Sequence, residues 1–235
     1  MTEPRSRRGA GRPTRPVLDR AKISDAALAL VDEGGLSALT MARLARRLGV
    51  AASALYNHVS GRGELELIIQ DAIMSRVDVT AMRQLAAGGI GLADALRSWG
   101  RSYREIVSRH PDLVPFIATV PIASAPLTLR MYEAVAAGLS AAGVPRDRVI
   151  PVIVAFESFL FGSAIDVHAP ATVFRSESGT DPAPEFRAAV GAFTRRVDAA
   201  TPASSAGGRR NPYADEPFEW GLEGLISWTT SLVRA

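Results

Sequence analysis

The chain has 235 residues, enough for one or two domains with a sizeable core, and its 47% hydrophobic and 22% charged residues are ordinary for a soluble globular protein. It has no cysteine, which excludes disulfides, thiolate metal sites and cysteine nucleophiles. The net charge of +3 is uneven: residues 1–62 hold 11 Lys/Arg against 5 Asp/Glu and residues 63–235 hold 16 against 19, a basic end on a slightly acidic body that suits docking to an anionic polymer.

Residues 1–18 (MTEPRSRRGAGRPTRPVL) are rich in Arg, Gly and Pro and cannot bury apolar area, so they are expected to form a disordered basic arm. Such an arm can enter the adjacent minor groove, where narrow A·T tracts attract arginine. Arg12 is the candidate contact, because Gly11-Arg12-Pro13 resembles the centre of an AT-hook. A solvated tail with only non-specific attraction is the alternative. The N-terminus lacks the apolar core of a secretory signal, and none is expected.

The first ordered helix is predicted from Asp19 to Asp32. Asp19 is its N-cap, Ile23, Ala27, Leu30 and Val31 form its inner stripe, and Gly34-Gly35 stop it. In the next helix Met41, Leu44, Ala45 and Leu48 recur at helical spacing after Thr40, a residue suited to an N-cap. Gly49 ends that helix because it can adopt φ > 0, and Val50 can pack back on the stripe. A second stripe follows at Ala52, Leu55, Tyr56 and Val59. Two short helices around a glycine turn form a helix-turn-helix, whose second helix enters the DNA major groove.

These residues also carry a resemblance. Ile23…Ala26-Ala27…Leu30-Val31, Glu33-Gly34-Gly35-Leu36, Leu39-Thr40, Leu44-Ala45…Leu48-Gly49-Val50 and Leu55-Tyr56…His58-Val59 resemble the DNA-binding domain of the tetracycline-repressor (TetR) family of bacterial regulators. The stretch LYNHVSGRGEL is similar to the LYxHVxxKxxL pattern of the tetracycline-repressor branch, and FEWGLEGL near the end is similar to the family's final segment. In tetracycline repressors an arginine of the first motif helix reads a guanine; the matching position here is Ala42. Ala51, Ala52 and Ala54 replace longer base readers and offer at most contact with a thymine methyl. Base reading is therefore expected from Ser53, Tyr56, Asn57 and Arg43, and phosphate contacts from Thr40, Tyr56, His58 and Arg62. Tyr56 has a second reading, half in the core with only its hydroxyl reaching the backbone.

Further along, a helix from about Arg62 to Val79, capped by Ser60, should pack on both domains and act as a lever between them. A glycine-containing connection over 80–91 comes next. Helices are predicted over Leu92–Arg109, Pro111–Thr119, Pro126–Ala142, Arg146–His168, Glu185–Ala199 and Asp215–Val233, with Pro151 delaying or kinking the fourth of these. Segments 169–184 and 201–217 read as loops. No period-two strand occurs. The expected fold is all-α: a helix-turn-helix DNA-binding domain over 19–62 and a larger helical effector-binding and dimerisation domain over 63–235.

One helix-turn-helix reaches few base pairs, and two-fold dimers gain specificity from two half-sites. The broad apolar faces of helices 146–168 and 215–233 are expected to pair with their copies, as the resemblance also implies; central core helices of a monomer are the alternative. A regulator needs an input, and Trp99, Tyr103, Phe116, Met131, Phe156 and Phe159 are candidates for an apolar effector pocket, although aromatic residues at helical spacing also build plain cores. The expected function is a ligand-responsive homodimeric regulator, a repressor acting on an inverted-repeat DNA operator in the cytoplasm. No enzyme motif is present: GxSxG, a Gly-rich phosphate loop and HExxH are all missing. Tetracycline repressors hold their drug with magnesium and a histidine ligand. His110 lies in a comparable region, but Pro111 follows it without the drug-site pattern, so it reads as a surface cap. No metal, cofactor or tetracycline is expected. Nor is a membrane partner, since no apolar run reaches about 18 residues without a charge; the longest candidate, Val149 to Ile165, is broken by Pro151 and Glu157.

Overall fold

The computed structural model describes residues 18–174, 183–200 and 211–233. All of the predicted basic arm except Leu18, including Arg12, lies outside them. The N-terminal helix signals are realised one by one. The Asp19 carboxylate accepts the Lys22 N–H at 2.8 Å and starts α1 (Arg20–Gly34). Thr40 Oγ1 accepts the Arg43 N–H at 3.2 Å and starts α2 (Met41–Leu48). Gly49 then turns the chain at φ 66°, a region that costs a side-chain-bearing residue about 1–2 kcal/mol. Its N–H donates to the Arg46 carbonyl at 3.2 Å and that of Val50 to the Ala45 carbonyl at 3.0 Å, so Val50 folds back onto the core. The five-residue α3 (Ala52–Tyr56) follows and is locked by Leu55, fully buried against α2 residues such as Leu44. Burying one such leucine contributes about 1.5–3 kcal/mol. Ala52 and Tyr56 of the predicted second stripe are exposed, and Val59 is buried just beyond the helix, because only one face of so short a helix meets the core.

The lever helix differs from expectation at both ends. α4 spans Arg62–Met74, and Gly61, not Ser60, is its N-cap. Ser60 instead donates its N–H and hydroxyl to the Glu64 carboxylate at 2.8 and 2.9 Å, so Glu64 reaches back from the first turn. After Met74 the Ser75 hydroxyl bonds the Ala72 carbonyl at 2.7 Å, and Asp78 accepts the Thr80 N–H at 2.8 Å. Asp78 thus forms a turn just before α5 (Thr80–Ala86), whose N-cap is Val79, inside the expected connection. Val77, Val79, Met82 and Leu85 are buried there, which orders the segment.

Next come α6 (Leu92–Ser108), a 3-10 turn and short α7 (Val114–Ile117), α8 (Pro126–Ala141), α9 (Arg146–Asp166), α10 (Pro184–Ala200) and α11 (Asp215–Val233). The described residues contain no strand, and the fold is all-α. Pro151 does not delay α9, which starts at Arg146; it stands in the second turn, where the missing amide would have bonded the Asp147 carbonyl. α6 and α11 run antiparallel. Arg97, Arg101 and Arg104 meet Glu223, Glu219 and Asp215 in turn, at 2.6, 2.7 and 2.9 Å. Gly138 of α8 allows α5 to approach closely; a Cβ there would stand 2.8 Å from the Met82 carbonyl oxygen. One core runs from Ile23 to Ile226 through α4, whose Leu65, Ile69 and Ile73 are buried between α1, α6 and α8.

Candidate functional site

The first site is the outer face of the helix-turn-helix. Ser53, Tyr56, Asn57 and His58 are exposed on and just after α3, with Arg43 exposed on α2 and Thr40 at its cap. Tyr56 is 54% exposed, so its ring is not core. The Thr40 oxygen is taken by the cap, which leaves the hydroxyl hydrogen for an acceptor outside. Arg62 Nε is bonded to Glu66 at 2.7 Å, and Arg47 is held by both oxygens of Glu33 at 2.8 Å. Arg43 and Arg46 are exposed on α2 and form no ion pair among the described residues.

The second site lies in the helical body. Trp99 and Tyr103 of α6 meet edge to face at 5.9 Å, Phe156 of α9 packs on Trp99 at 5.5 Å, and all three are fully buried. Met131 is buried on α8, while Phe116 is half-buried on α7 and makes no ring contact among the described residues. Phe159 stands apart on another flank of α9, stacked on Phe218 of α11 at 5.8 Å and pressed on Gly221.

Sequence reasoning missed the polar centre of this cluster. Glu157 Oε1 accepts hydrogen bonds from Tyr103 Oη at 2.8 Å and from Tyr132 Oη at 2.5 Å. Burial pushes the Glu157 carboxyl above its ordinary proton affinity, and the two phenol bonds oppose that. Both tyrosines are pushed above their ordinary range, chiefly by burial and then by the carboxylate. The available signal was one acid inside an otherwise apolar helix. Asp71 and Thr128 were missed in the same way. Asp71, buried in α4, accepts the Thr128 N–H at 2.7 Å and its hydroxyl at 3.0 Å, capping α8 from another helix.

His110, expected as a surface cap, is instead buried, 6% exposed at the end of α6. Its Nε2 lies 3.6 Å from Asp32 of α1, because the turn after α6 packs against the first helix. Burial lowers its proton affinity, and Asp32 acts the other way. No group of three or more His, Asp or Glu that could hold a metal occurs among the described residues. A cleft of about 200 Å³ between α6 and α11 is lined by Arg101, Arg104, Phe218 and Glu219, among others. Its two arginines are already neutralised by Glu219 and Asp215.

Comparison with known proteins follows this division. Residues 23–65 match the family described as bacterial regulatory proteins, tetR family, and residues 87–228 match the tetracyclin repressor-like C-terminal domain. A helix-turn-helix transcriptional regulator of Saccharopolyspora erythraea is 32% identical over 150 residues, 64% of this chain and 61% of its own length. The transcriptional repressor DrrR1 of Streptomyces coeruleorubidus is 27% identical over 157 residues, 67% of this chain and 56% of its own. The matches thus span about three fifths of the length of these curated relatives. Among solved structures, Streptomyces coelicolor ActR in complex with (S)-DNPA aligns with a TM-score of 0.62 at 23% identity, covering 92% of this chain and 98% of that one. At that identity the likeness concerns the fold.

Proposed function

The chain belongs to the tetR family of bacterial regulatory proteins, DNA-binding transcriptional regulators, and we propose that it is a homodimeric repressor whose hold on an inverted-repeat operator is changed by a small molecule bound in its helical body. The observation that carries this reading is the α3 face. Leu55 is fully buried while Ser53, Tyr56, Asn57 and His58 point outward, so a rigid core presents polar groups to a groove. We assign base reading to Ser53, Tyr56, Asn57 and Arg43, and phosphate contacts to Thr40, Tyr56, His58 and Arg62. In this reading residues 1–18 are an arm, 19–62 the DNA-binding domain and 63–235 the effector and dimer domain. The protein works in the cytoplasm, beside its operator.

Two further observations support the dimer and the effector. α9 carries exposed Ile150, Val154 and Ile165, and α11 carries exposed Trp220 and Trp228, an apolar area that a second copy would cover. By length and composition alone α9 could cross a membrane, but an apolar dimer face accounts for the same residues. For the effector, the aromatic cluster around Trp99 and Tyr103 joins α6, α8 and α9, and α8 is tied by Asp71 to the lever α4.

Selection of bound fragments from a random DNA pool with the full-length protein, at about 150 mM salt, tests the reading. An enriched inverted repeat bound by two copies is the expected result. Binding without any enriched motif, lost as salt rises, would replace it with a non-specific architectural role.

A further inference from the structure

Glu157 is a half-buried carboxylate without a counter-ion. Its Oε1 is fully engaged by the hydroxyls of Tyr103 and Tyr132, and its Oε2 has no hydrogen-bond partner among the described residues. No arginine, lysine or histidine forms an ion pair with it or contributes to its proton affinity. The guanidinium groups of Arg97, Arg101 and Arg104 on neighbouring α6 are bound to the acids of α11. Asp71, a buried acid of the described body, has both of its bonds from Thr128, whereas Glu219, Glu223 and Glu216 each have an arginine. A carboxylate partly withdrawn from water with no cation near it is costly to keep.

The surroundings of Glu157 are aromatic. Tyr103 meets Phe161 at 5.9 Å and Trp99 at 5.9 Å, and Phe156 lies behind Trp99. Trp99 Nε1 is a buried donor with no partner. Tyr132, Glu157 and Phe161 are half-buried, so the cluster reaches the outside along the α8–α9 edge. Aromatic faces around a carboxylate attract cations, and water exclusion strengthens that attraction.

We propose that Glu157, Tyr103, Tyr132 and Phe161 form the recognition point for a cationic amphipathic effector: a protonated amine or quaternary cation carried on an aromatic or apolar frame. The cation supplies the charge that Glu157 lacks, and its frame packs on Phe161 at the α8–α9 edge. Neutral and anionic molecules of the same shape are rejected because they leave the carboxylate uncompensated. The inference rests on the effector-binding reading above and adds the class of effector.

The test uses the full-length protein and two probes of nearly equal size and opposite charge, tetraphenylphosphonium and tetraphenylborate, followed by calorimetry and tryptophan fluorescence without DNA. Tetraphenylphosphonium is expected to bind, tetraphenylborate to bind at least tenfold more weakly, and Glu157→Gln to reduce cation binding at least tenfold. Glu157→Gln should keep its helical signal and its melting temperature, since the amide oxygen still accepts from both phenols and a partly buried charge is gone. Tyr132→Phe, which keeps the carboxylate, should keep the preference for the cation. Equal binding of both probes, no cation binding, or cation binding unchanged in Glu157→Gln would each overturn the proposal. Operator release is read separately. Glu157-dependent cation binding that leaves the operator complex intact would uphold the site and remove the ligand-responsive reading. Release by an uncharged molecule, undiminished in Glu157→Gln, would do the reverse.

Discussion

Asp71 in the middle of α4 holds Thr128 at the start of α8 twice, by its N–H at 2.7 Å and its hydroxyl at 3.0 Å, and both residues are buried. Tyr132 lies one helical turn beyond Thr128 and bonds Glu157 of α9, which also holds Tyr103 of α6. Four helices are therefore linked by hydrogen bonds from the centre of the body to the helix that leads into the helix-turn-helix. A shift of α8 must carry α4 with it or break two buried bonds. Asp71→Ala orphans both donors of Thr128, and the expected loss of stability is about 2 kcal/mol. Thr128→Ala keeps the amide bond and should cost about 1 kcal/mol. Urea midpoints at unchanged slope measure both.

Two glycines should fail for different reasons. Nothing lies within 4 Å of a Cβ at Gly49, so Gly49→Ala meets only the backbone cost of φ 66°, about 1 kcal/mol. At Gly138 the same methyl meets the Met82 carbonyl oxygen at 2.8 Å, and α5 and α8 must separate, at about 1–3 kcal/mol. Thermal melts of the two variants should show the larger drop for Gly138→Ala.

On DNA, removal of a base reader and of a phosphate contact should be distinguishable. Asn57→Ala is expected to lose about 1–3 kcal/mol on the selected operator and little on random DNA. Arg62→Ala should weaken binding to both and lower the salt slope by about one. Titrations at several salt concentrations read the difference.

Val154 is 52% exposed on α9, so Val154→Glu should leave the protomer folded while placing a charge in the proposed dimer face. Light scattering at micromolar concentration should then give the monomer mass, and operator affinity should fall with it. A dimer of unchanged stability would exclude this face.

His110 supplies a pH signature. Its folded proton affinity is below the ordinary value of 6.5 because burial disfavours the imidazolium. Below pH 6.5 the unfolded chain binds more protons at this position, so its contribution to stability is lost as pH falls from there toward the folded value. Glu157 acts in the opposite sense, since its raised folded affinity adds stability as pH falls toward its ordinary 4.5. That contribution is common to wild type and His110→Gln and cancels between them. The stability gap between the two should therefore narrow from about pH 7.5 to about pH 5.5, as unfolding at each pH would show.

Local patterning was enough for the elements whose causes are local. Asp19, Thr40 and Gly49 act on amides and carbonyls within a few residues, so the helices they bound could be read from the chain, and the family pattern with them. The end of α4 was missed because α5 begins in a stretch that reads as a connection, and only the burial of Met82 and Leu85 orders it. What tertiary structure alone decided are the long-range polar pairs: Asp71 with Thr128, Glu157 with Tyr103 and Tyr132, and His110 with Asp32. Each joins residues far apart in sequence, and each looks in sequence like an isolated polar residue in an apolar helix or at a helix end. Periodicity says which face of a helix is inside; it does not say which helix lies opposite, and the partner of a buried polar group is set by that neighbour.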